Sequence, residues 1–129
     1  MTPSITPRTI LVVDDSPLVL ELARLALESA GWRAECHESG TRALSDRATE
    51  TPDAVLLDVE MPDMDGPATL AGLRADPALH AVPVVFLTGH QDQSKLDQLA
   101  SHDVRGVLAK PFDVDRLPLD LADVLGWDR

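Results

Sequence analysis

Short, uninterrupted runs of apolar residues recur along this chain, and each run ends at a polar residue. The clearest runs occupy residues 10–13, 54–57 and 82–87. Runs of this length are typical of strands that are buried on both faces of a parallel sheet. Segments with helical spacing separate them, most clearly at 17–30. This alternation predicts a doubly wound α/β domain, because neighbouring parallel strands need a crossover helix between them.

Five strands and five helices account for most of the chain. The predicted strands are 10–13, 33–36, 54–57, 82–87 and 104–109. The predicted helices are 17–30, about 41–48, 67–75, about 91–101 and 114–125, with Pro118 in an awkward position in the last one. In the first helix, the spacing predicts that Leu18, Leu22 and Leu25 face the core with Val19, Ala23, Ala26, Leu27 and Ala30.

The length of 129 residues suits one domain. We expect a flexible arm at residues 1–8, a folded domain at 9–126 and a short tail at 127–129. The net charge of −11 argues against direct binding to nucleic acid. The single cysteine, Cys36, cannot form an intramolecular disulfide, and no apolar run approaches 18 residues. The sequence therefore predicts a cytoplasmic protein without a membrane segment.

Polar residues stand where the predicted strands end. Asp14 and Asp15 follow the first strand, Asp58 follows the third, Thr88 follows the fourth and Lys110 follows the fifth. Ligands of open α/β sheets bind outside the carboxyl ends of the strands. Each residue alone has an ordinary explanation as a turn former, helix cap or solvated charge. Together they predict three carboxylates, a hydroxyl and an ammonium group at one edge of the sheet.

Carboxylates that are brought together repel, so such a cluster needs a cation or raised pKa values. Mg²⁺ suits the cluster because it binds one or two carboxylates, several waters and phosphate oxygens. An aspartate can attack phosphorus, while a metal ion and a lysine neutralise the oxygens of the transferred group. From these residues alone, metal-assisted transfer of a phosphoryl group to a carboxylate is the leading hypothesis.

Four segments resemble the receiver domain of two-component response regulators. They are ILVVDDS at 10–16, LLDVEMPDMDG at 56–66, LTG at 87–89 and LAKPF at 108–112. The resemblance runs from about residue 8 to residue 125, so the folded domain 9–126 would be a stand-alone receiver. It implies a flavodoxin-like sheet of five parallel strands in the order 2-1-3-4-5, with helices on both faces.

The resemblance also implies a role for each polar residue. Asp14, Asp15, Asp58 and the backbone carbonyl of Glu60 would hold Mg²⁺ or Mn²⁺. Asp58 would accept the phosphoryl group, with Thr88 as the switch hydroxyl and Lys110 as the phosphate partner. The peptide bond between Lys110 and Pro111 matches one that is cis in the family.

The resemblance further implies partners. A histidine kinase or histidine phosphotransfer protein would supply the phosphoryl group. Phosphorylation would switch a surface of the fourth helix, fifth strand and fifth helix for a downstream target, or the group would be relayed. A homodimer through helices four and five is compatible with this reading. The protein would be a signalling phosphoacceptor and not an enzyme, apart from catalysing its own phosphorylation and dephosphorylation.

Three features depart from the family pattern or leave alternatives open. Val107 stands where the family usually carries Tyr or Phe, which keeps a phosphorylation-independent interaction module as an alternative. Glu60 and His90 occupy positions that tune the loss of phosphate in the family. Asp58 and Glu60 also distantly resemble the acidic pair of haloacid-dehalogenase-type phosphatases, although the chain lacks their cap domain. A dinucleotide site, a calcium loop and a zinc site are excluded by the spacing.

Overall fold

The computed structural model describes residues 7–48 and 50–127. Most of the predicted arm, residues 1–6, and the last two residues of the predicted tail lie outside the described residues. The division into arm, domain and tail therefore stays a prediction. Within the described ranges, no helix has both the length and the apolar character that crossing a membrane requires.

The five strands form one parallel sheet in the order β2-β1-β3-β4-β5, as the resemblance implied. The strands are β1 (Thr9–Val13), β2 (Arg33–His37), β3 (Ala54–Asp58), β4 (Val84–Thr88) and β5 (Gly106–Ala109). β1, β3 and β4 are almost wholly buried, because helices cover both faces of the sheet. The apolar side chains accordingly form two core clusters, one on each face.

The five helices follow the strands in alternation. They are α1 (Pro17–Ser29), α2 (Gly40–Asp46), α3 (Gly66–Ala75), α4 (Gln93–Ala100) and α5 (Leu117–Leu125). The prediction that α5 begins at Val114 was wrong. The helix begins at Leu117, and Pro118 occupies its first turn, where the missing N–H removes no helical hydrogen bond. The predicted α2 was also too long, since Ala48 lies beyond the end of the helix.

The predicted core face of α1 was partly wrong. The side chains of Leu18 and Leu25 are 68% and 48% exposed, whereas Leu20 is buried. Leu18 and Leu20 lie about 200° apart around an α-helix, so burying one turns the other towards solvent. Ala23, Ala26 and Leu27 complete the buried face. Leu18 and Leu25 are therefore exposed on α1, and Leu18 lies next to the carboxyl end of β1, whereas Leu22 is half-buried.

Candidate functional site

The carboxyl ends of β1 and β3 bring two aspartates together. Val13 lies opposite Leu57 in the parallel register, so Asp14 and Asp58 stand at the same edge of the sheet. Asp14 is fully buried and Asp58 is 3% exposed. Asp15 is exposed beside them, and each of the three carboxylates offers an oxygen that lies within 4.8 Å of the other two. The structure thus gathers the carboxylates that the sequence placed at this edge.

Lys110 projects into the carboxylate cluster from the end of β5. Its Nζ atom lies 2.7 Å from Oδ2 of Asp14 and 3.1 Å from Oδ1 of Asp58. The backbone N–H of Lys110 donates to the carbonyl of Thr88 at 2.8 Å, which fixes the start of the loop after β5. The peptide bond between Lys110 and Pro111 is cis, so that prediction is confirmed. One cation therefore faces two buried carboxylates.

The environment of Asp58 makes its carboxylate unusually basic. Burial and the nearby charge of Asp14 raise the pKa of Asp58 from 3.8 to about 6, although Lys110 and the backbone N–H of Glu60 oppose the change. Burial alone would lower the pKa of Lys110, but the hydrogen bonds and charges of Asp14 and Asp58 outweigh it and hold that pKa above its usual value. The ammonium group therefore stays charged at neutral pH.

One oxygen of Asp58 has no hydrogen-bond partner. Oδ1 contacts Lys110 and accepts a 3.3 Å hydrogen bond from the N–H of Glu60, but Oδ2 is buried with no donor among the described residues. A buried polar atom without a partner costs free energy, and functional sites are where such atoms persist. With three carboxylates converging, the donor set is the all-oxygen type that Mg²⁺ or Mn²⁺ prefers. These residues therefore fit a hard divalent cation.

Local backbone structure holds the loops around the carboxylates. Oδ1 of Asp14 accepts a 2.9 Å hydrogen bond from the N–H of Ser16, whose own hydroxyl caps α1. Gly66 begins α3 directly against β3, where a Cβ atom would lie 2.8 Å from the carbonyl oxygen of Asp58. Only glycine leaves room for this approach. The sequence signal for it was the glycine that follows Asp65.

Thr88 ends β4 and is 1% exposed. Its Oγ1 atom accepts a 3.1 Å hydrogen bond from the backbone N–H of His90. The ring of His90 in turn lies 2.8 Å from the Glu60 carboxylate, measured from Nε2 to Oε1. The sequence singled out Glu60 and His90 separately but did not predict that they contact each other. The contact joins the loop after β3 to the loop after β4 at the mouth of the site.

Comparison with known proteins gives a consistent result. The chain matches the family described as the response regulator receiver domain over residues 10–122. It is 35% identical to the probable transcriptional regulatory protein TcrX of Mycobacterium tuberculosis, covering 92% of this chain and 50% of that protein. It is 34% identical to the histidine kinase BarA of Escherichia coli, covering 84% of this chain and 12% of the kinase. The chain thus spans half or less of the length of these two relatives.

Solved structures show the same fold. The chemotaxis response regulator CheY4 of Vibrio cholerae superposes with a TM-score of 0.83 at 28% identity, covering 92% of this chain and 99% of that one. The receiver domain of sensor kinase PA1611 of Pseudomonas aeruginosa superposes with a TM-score of 0.80 at 27% identity, covering 94% and 99%. That structure is described with a magnesium ion coordinated in its active-site cleft.

Proposed function

We propose, on the premise that this chain belongs to the family of response regulator receiver domains, that it accepts a phosphoryl group on Asp58. Receiver domains take phosphate from histidine kinases, so the donor would be such a kinase or a histidine phosphotransfer protein. The observation that carries the proposal is the buried, unpartnered Oδ2 atom of Asp58 beside the Lys110 ammonium. The carboxylate oxygen can attack phosphorus, and the ammonium group can stabilise the negative charge that results.

The transfer breaks the P–N bond of a phosphohistidine and forms a P–O bond to the Asp58 carboxylate. The electron pair of the broken bond stays on the imidazole nitrogen of the donor. Lys110, held by Asp14 at 2.7 Å, faces the group that arrives on Asp58. A charge fixed in position beforehand stabilises developing negative charge without reorganising during the reaction. The role of Lys110 is therefore electrostatic.

We assign Asp14, Asp15, Asp58 and the backbone carbonyl of Glu60 as the residues that would hold Mg²⁺ or Mn²⁺. Such an ion, when bound, neutralises oxygens of the phosphoryl group. The two buried aspartates supply fixed ligands, while exposed Asp15 leaves the cluster open to the waters that Mg²⁺ usually keeps. The cluster of three carboxylates supports this assignment.

We further propose that phosphorylation draws Thr88 towards Asp58 and thereby changes the surface formed by α4, β5 and α5. Thr88 receives the His90 N–H, so its displacement must alter the loop that leads into α4. Leu99 is the one buried residue of α4, so few core contacts resist movement of that helix. Val107 is half-buried and packs against the core, which replaces the usual aromatic by a smaller side chain.

The exposed leucines of α1 suggest where the phosphoryl donor docks. Leu18 and Leu25 lie on the solvent side of the helix that begins immediately after Asp14 and Asp15. Exposed apolar side chains beside a site favour protein contact. A donor helix placed there would bring its phosphohistidine to the carboxyl edge of the sheet. This assignment explains why leucines with a core-like spacing face solvent.

The output would be binding of a downstream target protein or relay of the phosphoryl group, in the cytoplasm. A homodimer through α4 and α5 would be one form of that binding. The 35% identity to a transcriptional regulator and the 34% identity to a histidine kinase show that similar receivers serve both kinds of protein. Replacement of the usual aromatic by Val107 keeps one alternative open, an interaction module that does not use phosphorylation, although the retained Asp14, Asp58 and Lys110 argue against it.

Intact mass spectrometry after incubation with Mg²⁺ and acetyl phosphate tests the proposal. We expect the parent chain to gain one phosphoryl group that hydrolyses with time, and to gain none when EDTA removes Mg²⁺. Asp58→Asn should gain none. Asp63→Asn is the matched control, because Asp63 is an exposed aspartate of the same loop.

Failure of the folded parent to gain mass would reject Asp58 as a phosphoacceptor. The phosphorylation-independent interaction module would then be the better description. Equal gain in Asp58→Asn and the parent would place the phosphoryl group on another residue and reject the assignment of Asp58.

A further inference from the structure

Helix α4 is anchored to the core at its carboxyl end. Leu99, in the last turn, is the one buried residue of the helix. Just after the helix, the ring of His102 packs edge-on against the buried ring of Phe86, with 5.8 Å between ring centroids. The next residue, Asp103, accepts hydrogen bonds from Arg74 at its carboxylate and at its carbonyl. The last turn of α4 and the loop after it are therefore fixed against β4 and α3.

The amino end of α4 is more loosely attached. Gln93 and Ser94 are exposed, and Lys95 and Leu96 are only half-buried. The Asp92 carboxylate caps the helix by accepting the N–H of Ser94, which is a contact within the helix end itself. Parts of a structure with few buried contacts move at the lowest free-energy cost. The amino end of α4 is accordingly the part of the helix that can move.

A cleft of about 480 Å³ lies between α4 and the loop that joins β3 to α3. We call it the α4 cleft; Pro62 and Pro67 line its loop side, and Lys95 lines its helix side. The cleft gives the amino end of α4 room to move inwards. About 9 Å along the helix axis separates Gln93 from Leu99, so a tilt of about 20° about Leu99 would move Gln93 by about 3 Å.

Opposite charges face each other across the α4 cleft. The exposed residues Glu60 and Asp65 line the loop side, opposite Lys95. Lys95 forms an ion pair with neither carboxylate. Glu60 contacts the ring of His90 at 2.8 Å, and Asp65 uses one oxygen to accept the N–H of Ala68. Because opposite charges attract more strongly at shorter distance, movement of α4 towards the loop is electrostatically favourable.

We propose that α4 is a lid that closes the α4 cleft, tilting about its last turn until Lys95 pairs with the carboxylates of Glu60 and Asp65. Exposed ion pairs contribute little free energy, so the open and closed forms would both be populated and small perturbations would shift their balance. Closure is a property of the free chain. It does not rest on phosphorylation of Asp58, so either proposal can fail without the other.

Pulsed electron paramagnetic resonance between two nitroxide labels tests the proposal. All variants carry Cys36→Ser, so that labels attach only to introduced cysteines. The first pair, Gln93→Cys with Ala68→Cys, joins the moving end of α4 to the first turn of α3 at exposed positions. The second pair, Ser101→Cys with Ala68→Cys, reports on the fixed end. Adding Lys95→Glu should lengthen the mean Gln93–Ala68 distance by about 2 Å and leave the Ser101–Ala68 distance unchanged, because attraction across the cleft becomes repulsion.

Arg42→Glu is the matched control, because it makes the same charge change on α2, where the side chain is 72% exposed and does not line the α4 cleft. It should leave both distances as in the parent. Raising the salt concentration should lengthen the Gln93–Ala68 distance in the parent but not in Lys95→Glu.

Lys95→Gln removes the charge without reversing it and should give a smaller shift in the same direction. Circular dichroism and urea denaturation establish that each variant is folded. An unchanged Gln93–Ala68 distance in folded Lys95→Glu and Lys95→Gln would overturn the proposal, as would an equal shift of both label pairs, which would show that α4 does not pivot about its last turn.

Discussion

Charged groups at the two ends of the parallel sheet differ in how fully their hydrogen bonds are satisfied. At the carboxyl end, Asp58 is buried with one oxygen unpartnered and with Asp14 beside it. At the amino end, Arg74 makes hydrogen bonds through Nε and both Nη atoms, to the backbone or side chain of four residues. At the carboxyl end, a charged group keeps an oxygen without a hydrogen-bond partner, whereas at the amino end the guanidinium group is used in structural hydrogen bonds. The difference indicates that stability and chemistry are kept at opposite ends of the same strands.

The bonds of Arg74 explain its structural role. Its guanidinium group donates to the carbonyl of Val82 at 2.7 Å and to the carboxylate and carbonyl of Asp103 at 2.9 and 3.0 Å. It thereby joins the end of α3 to the segments that precede β4 and β5. On the other face of the sheet, the rings of Trp32 and Trp127 pack edge-on at 5.6 Å, which ties the end of α5 to the start of β2.

The largest expected effect comes from removing the cation of the carboxyl end. Lys110→Met should slow phosphorylation by acetyl phosphate about 100-fold or more, as loss of one preorganised electrostatic group typically does. Time courses of intact mass measure the rate. Arg42→Met removes an exposed cation and should leave the rate unchanged. A folded Lys110→Met that reacts within a few-fold of the parent would contradict the role given to Lys110.

The next largest effect should arise at the amino end. Arg74→Ala leaves several carbonyls without their donor, and we expect the free energy of unfolding to fall by about 3 kcal/mol. Urea denaturation at neutral pH measures this change. Under conditions where the variant is folded, its phosphorylation should proceed as in the parent. A slowed reaction would show that the two ends are not separate, and an unchanged stability would remove Arg74 from its structural role.

The raised pKa of Asp58 predicts a stability that depends on pH. Between pH 4 and about 6, the folded protein holds a proton on Asp58 that the unfolded chain has released. The free energy of unfolding therefore falls as pH rises through this window. In EDTA, Asp58→Asn should be more stable than the parent by about 2 kcal/mol at pH 7, and the difference should vanish towards pH 4. Urea denaturation across this range measures the difference. A constant difference would show that the charge of Asp58 is not its cause.

The smallest expected effect is stabilisation by the metal ion. At a Mg²⁺ concentration of about ten times its dissociation constant, the parent should gain about 1.4 kcal/mol. Thermal unfolding with and without EDTA measures the gain. Asp14→Asn should lose most of it, whereas Asp63→Asn should keep it. Equal stabilisation of both variants would indicate nonspecific screening of the net charge of −11 and not a site at the carboxyl end.

Much of the fold was predictable because buried parallel strands have a strong local signature. β1, β3 and β4 each consist of four apolar residues and one polar residue at an end, so their existence and the edge at which polar residues collect follow from the pattern. Helix ends were less predictable. Pro118 looked like an interruption of the last helix until the structure placed it in the first turn.

The face of α1 shows why periodicity alone was insufficient. Leu18, Leu22 and Leu25 have the same spacing as a core-facing row, and only packing against the sheet selected Leu20 and its neighbours instead. The contact between Glu60 and His90 could not be predicted from the sequence either, because the two residues belong to different loops. No local pattern reports where a side chain meets a residue that is distant in sequence.

By itself, the sequence determined the alternation of strands and helices and the residues that stand at the strand ends. These follow from backbone propensity, side-chain polarity and the rule that parallel strands share a carboxyl edge. The tertiary structure decided which oxygen of Asp58 remains unpartnered and that Lys110 faces both buried aspartates. It also decided that the Arg74 guanidinium group donates hydrogen bonds to backbone carbonyls at the amino end of the sheet. Those outcomes depend on distances between separate loops, and such distances exist only once the core has packed.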